Sequence, residues 1–241
     1  GVHFAEDESK GVMFYAVGGP GGAGTALAQS YLDSFDARLR KELDVVFFDQ
    51  RGVGAKNGVD CPKAATAFDS DPIALQQPDQ AVAVAKGFVE ACLKEMSNRD
   101  LLPYLGTSQA IQDVEDFRQA IGSPRIWFYG ESYGTQFAQE YAARYPDAVQ
   151  GVILDGVVDL TRTAEQYYTE DTRVAERLLA KLLDACDTAP RCRADMGASA
   201  ASVYDGLAAR LKQAPIDVNY PLGSGGFAQR PMNTAILEDE A

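Results

Sequence analysis

The pentapeptide Gly130-Glu131-Ser132-Tyr133-Gly134 constrains this chain most, because of what flanks it. The apolar run Ile126-Trp127-Phe128-Tyr129 precedes it and a helical pattern follows. A strand, a sharp turn carrying a serine and then a helix form the context of a nucleophile elbow. Small residues around Ser132 allow the tight turn, and the N-terminus of the following helix favours negative charge developing beside it. The bland alternative is a structural turn. The strand and helix on either side favour the nucleophile.

The rest of the chain supplies a sheet for such a turn. Val12 to Val17 and Val45 to Asp49 read as buried strands, and Val149 to Val158 as a third after the elbow. Between them, Thr25 to Leu43 and Pro78 to Met96 have helical patterns, and segment 55–77 reads as loop. Thr107 or Ser108 is expected to cap a helix through Ile121, ended by Gly122 and Pro124. Phe137, Tyr141 and Tyr145 recur every four residues and form an apolar stripe toward the sheet. Alternating strands and helices predict an α/β fold with a mostly parallel sheet covered on both faces. After Asp159 the pattern is mostly helical to residue 213, and 214–241 is punctuated by Gly and Pro and ends in Glu238-Asp239-Glu240. This places a domain boundary near 160, dividing 1–160 from 161–241.

Composition removes several function classes. A net charge of −13 opposes binding to nucleic acid or anionic membranes. No apolar stretch approaches the roughly 18 residues of a spanning helix. Gly1 to Lys10 lack the basic start and apolar run of a signal peptide, so the chain reads as a mature protein or an excised segment. A lone histidine, His3, and no C-x-x-C pair argue against a zinc site; no metal or cofactor is expected. Cys61, Cys92, Cys186 and Cys192 are either buried thiols or two disulfides, and disulfides imply a secreted, periplasmic or cell-surface setting. Sequence order favours Cys61–Cys92 and Cys186–Cys192, although three pairings are open. Loop closure gives ~4 kcal/mol for the longer bridge and ~2 for the shorter.

The glycine loop Gly18-Gly19-Pro20-Gly21-Gly22-Ala23-Gly24 fits two mechanisms. It matches G-x-G-x-x-G between a strand and a helix, with Asp49 where a ribose-binding acid would sit, so a dinucleotide-binding domain is the rival class. Against this, Pro20 removes a backbone donor, and Asp49 runs on into Asp49-Gln50-Arg51-Gly52-Val53-Gly54. An acyl-transfer site uses the loop more naturally. It needs two backbone donors for a tetrahedral oxyanion, here the amides of Tyr133 and Gly19.

Gly18 to Gly22, Asp49 to Gly54 and Gly130 to Thr135, in this order and spacing, resemble the α/β-hydrolase peptidases of the proline iminopeptidase and tripeptidyl aminopeptidase family. The secreted tripeptidyl aminopeptidase branch is the more similar. Tyr145-Pro146-Asp147 and Val152 to Asp159 fit the same branch, over roughly residues 11–160. The resemblance implies the α/β-hydrolase fold and a serine exopeptidase acting on peptides with free N-termini. It also implies a helical cap, whose start residues 161–241 would form. Two positions depart from it: Val17 stands where many relatives have His, and Ala55 where Ser is common.

A third departure concerns chemistry. A serine nucleophile needs a histidine base oriented by a carboxylate, in the chain order Ser, acid, His. His3 precedes Ser132, and no histidine follows. Asp155 and Asp159 end the strand after the elbow helix, where an acid could sit, but without a base they read as turn or cap residues. The acid and base are therefore expected from a C-terminal segment or a second chain, and the isolated polypeptide is expected to be nearly inert. For the substrate's ammonium group the resemblance implies carboxylates from the cap, where Glu165, Glu170, Asp171 and Glu176 fall, with a solvated helix face as their plainer role. Glu131, beside the nucleophile, is the candidate substrate-site residue for tuning the site. An esterase of the same fold and a non-catalytic interaction domain that keeps the elbow as scaffold complete the alternatives.

Overall fold

The computed structural model describes residues 1–54, 58–69, 78–221 and 226–239. Ala55 and Glu240 lie outside them, as does residue stretch 70–77. The chain begins with β1 (Val2–His3), β2 (Val12–Ala16), α1 (Gly24–Ser34), α2 (Ala37–Glu42), β3 (Asp44–Phe47), α3 (Pro62–Asp69) and α4 (Pro78–Glu95). It continues with α5 (Thr107–Ala120), β4 (Ile126–Glu131), α6 (Tyr133–Arg144) and β5 (Val149–Asp155). Last come α7 (Ala164–Thr188), α8 (Pro190–Met196), α9 (Ala200–Gln213), β6 (Ile216–Pro221), β7 (Phe227–Met232) and α10 (Thr234–Asp239).

Contacts divide the chain into two compact units. One joins Gly1–Val59 to Ser97–Arg162, and the other joins Asp60–Met96 to Thr163–Ala241. The sequence suggested a single division near 160. The units also part after 59 and after 96, so α3 and α4 group with the later segment and not with the large sheet.

The first unit holds a five-stranded sheet in the order β1-β3-β2-β4-β5, parallel except for the short antiparallel β1 at one edge. Alternation along β2 explains its two-sided burial. Phe14 and Ala16 pack with Ile111, Val114, Phe128, Phe137 and Tyr141 on the face covered by α5 and α6. Met13, Tyr15 and Val17 pack with Val45 and Phe47 against Tyr31, Leu32 and Phe35 on the α1 face. Phe137 and Tyr141 of the anticipated stripe are fully buried, and Tyr145 packs against the same cluster.

Local chemistry explains where elements depart from the sequence pattern. The helical stretch from Thr25 breaks at Phe35, because Asp36 accepts the Arg38 N–H (2.8 Å) and starts α2 afresh. Neither Thr107 nor Ser108 caps α5. Gly106 occupies that position, and the Thr107 hydroxyl bonds the Tyr133 hydroxyl instead (2.8 Å). β5 stops at Asp155, three residues before Val158, where Gly156 takes φ 66°.

In the second unit, part of the expected 55–77 loop is helix α3. Pro62 opens it, and the Glu95 carboxylate of α4 accepts the N–H groups of Lys63 (3.1 Å) and Ala64 (3.0 Å). Helices α7, α8 and α9 pack together, and the Gly/Pro-punctuated stretch after 213 forms the antiparallel hairpin β6–β7. Thr163 and Gln166 make a reciprocal capping box at the start of α7. Cys61–Cys92 joins the start of α3 to α4, and Cys186–Cys192 joins α7 to α8. Replacing Cys186 and Cys192 together with serine is expected to lower stability by about 2 kcal/mol, the loop-entropy value for so short a loop. Urea denaturation followed by helical circular dichroism measures it.

Candidate active site

Ser132 sits between the end of β4 and the start of α6 with φ 52° and ψ −119°. Among the described residues it is the one non-glycine with positive φ. A side chain costs about 1–3 kcal/mol in such a region, and this strain is typical of functional turns. Neighbouring bonds hold the conformation. The Ser132 N–H donates to the Asp155 carbonyl (2.8 Å), and the Ser132 carbonyl accepts both the Thr135 N–H (2.9 Å) and the Thr135 hydroxyl (2.7 Å). Thr135 Oγ1 in turn accepts the Val158 N–H (2.9 Å), tying the elbow to the chain after β5.

Close backbone approach explains the small residues of the pentapeptide. A Cβ on Gly134 would lie 2.1 Å from the Ala16 carbonyl oxygen, so α6 can cross the end of β2 only with glycine there. Ser132 itself is exposed.

The glycine loop arrives from the neighbouring strand. β2 and β4 pair in parallel, with Ala16 opposite Gly130, so Gly18 and Ser132 leave adjacent strand ends. A Cβ on Gly18 would lie 3.0 Å from Ser132 Cβ and 3.5 Å from its Oγ. The chain moves from β2 to β3 on one side and later to β4 on the other, which makes this a topological switch point, where open α/β sheets form ligand crevices. A family model described as the alpha/beta hydrolase fold matches residues 18–184, from this loop through the elbow and beyond.

The chain belongs to the α/β-hydrolase fold family.

It is similar to a tripeptidyl aminopeptidase of Streptomyces lividans, 29% identical over 162 residues, covering 64% of this chain and 30% of that protein. It is equally similar to the serine protease Hip1 of Mycobacterium tuberculosis, 29% identical over 165 residues, with 64% and 31% covered. The matched region thus spans under a third of these relatives' length. A solved proline iminopeptidase from Mycobacterium smegmatis aligns with a TM-score of 0.44 at 16% identity, covering 93% of this chain and 59% of that one.

In this α/β-hydrolase, Asp49 has a structural task that the dinucleotide reading would deny it. Its carboxylate accepts the Thr25 N–H (2.9 Å) and the Thr25 hydroxyl, so it caps the start of α1. Arg51 of the same turn forms a forked pair with the Asp113 carboxylate on α5, with Nε at 2.8 Å. The Asp-Gln-Arg-Gly sequence is therefore a clamp between the end of β3 and α5.

Glu131 points to the α1 face of the hydrolase sheet. Its carboxylate accepts the hydroxyls of Tyr31 (2.7 Å) and Tyr15 (3.1 Å), while Tyr129 donates to the Asp155 carboxylate (2.8 Å). Burial and then the Glu131 hydrogen bond push the Tyr31 phenol up to about 12. Burial and then Asp155 do the same for Tyr129, also to about 12. Tyr15 is raised by burial and by Glu131. All three phenols therefore remain protonated donors at neutral pH. Sequence reading missed these tyrosines; Tyr15 and Tyr129 sit in buried strands and Tyr31 in a helix, so each was indistinguishable from core.

The remaining candidates make contacts of their own. His3 is on β1, with β3 and β2 between it and β4, and its Nε2 is 3.1 Å from the Arg40 carbonyl. Strand spacing alone puts it roughly 14 Å along the sheet from the elbow strand. Asp159 closes its own loop through Thr161 and Arg162. Glu165 occupies the first turn of α7, where the helix dipole favours it, and Glu170 lies 3.9 Å from Arg173. Both belong to the second unit. No cluster of three or more metal-ligating side chains occurs among the described residues, and no helix among them is long and apolar enough to cross a membrane.

Proposed function

We propose that this chain carries the nucleophile and oxyanion hole of a serine aminopeptidase that removes residues or short peptides from free N-termini. The observation that carries the reading is the strained, exposed Ser132 with the glycine loop packed against its side chain. Ser132 Oγ attacks the peptide carbonyl while the base takes its proton, and the Tyr133 and Gly19 amides receive the oxyanion. The C–N bond breaks as the base gives that proton to the leaving amine of the shortened peptide, and water then hydrolyses the acyl-serine ester. The likeness to proteins named tripeptidyl aminopeptidase and serine protease supports peptide over other acyl substrates.

The base and its orienting acid come from polypeptide outside these 241 residues, because the single histidine sits on the far edge strand. Without a base a serine triad loses on the order of 10⁶ in turnover, so these residues alone act as a nearly inert half-site. Two disulfides support an extracytoplasmic setting.

A fluorophosphonate probe tests the reading. An adduct on Ser132 is expected in the full natural protein, located by peptide mass spectrometry, with little or none on residues 1–241 alone. Hydrolysis of peptides with free N-termini, faster than of simple acyl esters, supports the peptidase over the esterase. An unlabelled Ser132 in an otherwise folded full-length protein overturns the proposal.

A further inference from the structure

Glu131 directly precedes the nucleophile, yet its carboxylate is taken up by two tyrosine hydroxyls from β2 and α1. In the β4–β5 ladder Glu131 stands opposite Asp155, the residue whose carbonyl holds the Ser132 N–H. Two carboxylates thus stand side by side on neighbouring strands, an arrangement that repels unless each is solvated. No arginine or lysine among the described residues pairs with either. Tyr15 and Tyr31 solvate Glu131, Tyr129 solvates Asp155, and Tyr15 stacks on Tyr129 with centroids 4.7 Å apart. Tyr15 is only 3% exposed, so its hydroxyl has no easy access to water if the carboxylate is lost.

We infer that Glu131 is a positioning residue, which, clamped by Tyr15 and Tyr31 beside the Tyr129–Asp155 pair, holds the strained Ser132 turn in its reactive shape. It acts through the backbone and does not receive the substrate's ammonium group. The activity arm of the test rests on the proposed serine hydrolase function; a second arm does not.

In that second arm, amide hydrogen exchange is followed in residues 1–241 for wild type, E131A and E131Q. In E131A, faster exchange is expected in the peptide spanning Ser132 to Thr135, with β2 and β3 unchanged. E131Q should restore most protection, since its carbonyl can accept from one tyrosine and its NH₂ can donate to the other. In the full natural protein, E131A should lower the fluorophosphonate labelling rate and kcat by about tenfold, the cost of one to two buried hydrogen bonds. The loss should be equal for a free-amine peptide and an N-acetylated ester, with KM unchanged. A rise in KM confined to the free-amine substrate would make Glu131 an ammonium site and overturn the inference. Unchanged elbow exchange in E131A overturns it as well. If wild-type Ser132 is never labelled, the hydrolase reading fails, and exchange alone decides the role of Glu131.

Discussion

Replacing Ser132 with glycine is expected to yield a more stable protein without the acyl-transfer chemistry proposed for it. At φ 52° and ψ −119° the serine occupies a region that glycine enters freely. Relief of that strain is worth about 1–3 kcal/mol, and the greater freedom of an unfolded glycine takes back about 0.5–1. The net gain should be about 1 kcal/mol, read as a higher urea midpoint for residues 1–241. Ser132→Ala keeps the strain and removes only the hydroxyl, so its stability should stay near wild type. Under the proposed function, both substitutions should lower turnover of the full natural protein by on the order of 10⁶, the scale of removing a serine nucleophile. A stability gain in the glycine variant without one in the alanine variant would show that the elbow's cost lies in its backbone. Equal stability of all three would mean that Ser132 is not strained in solution.

What the sequence disclosed about this site depended on the distance over which its chemistry is encoded. The elbow is local: a buried strand, Gly130, Ser132 and Gly134 are contiguous, and the close passage of Gly134 over Ala16 explains why no larger residue stands there. Chain order favoured the two disulfides that form but left three pairings open, because which cysteines meet is set by packing. The tyrosine clamp was not, because its hydrogen bonds join residues 100 and 116 positions apart and each tyrosine looks like ordinary core in its own strand or helix. Thr107 had the composition of a helix cap and instead bonds Tyr133, the residue after Ser132, a choice that only the packing of α5 beside α6 determines. The strand β1 is two residues long and carries no periodic signal. Helix α3 was hidden in a stretch that read as loop, because the carboxylate that caps it comes from Glu95, 31 and 32 residues away.

The largest stability effect expected from a single side chain in the sheet unit comes from Glu115. It is 4% exposed on α5 and accepts hydrogen bonds from Arg118 (2.9 and 2.7 Å), Gln119 (2.7 Å) and the Tyr141 hydroxyl of α6 (2.9 Å). Arg118 also donates to the carbonyls of Ser123 and Pro124, so this network fixes the turn that leads into β4. Glu115→Ala would leave a half-buried guanidinium and a buried phenol without their acceptor, at a cost of about 3–5 kcal/mol. The Arg118 hydrogen bond, foremost, holds the Glu115 carboxyl down to about 2 from its ordinary 4.5. A carboxylate depressed in the folded state stabilises fully above its unfolded value and loses that stabilisation as pH falls toward the folded value. About 3 kcal/mol should therefore disappear between roughly pH 5 and pH 2. Glu115→Gln removes this titration, so its stability should fall less steeply over the same range while lying below wild type at pH 7. Urea midpoints of wild type and Glu115→Gln from pH 2 to 7 measure the difference. Parallel curves would mean that Glu115 titrates normally and that the Arg118–Glu115–Tyr141 network does not anchor the turn leading into β4.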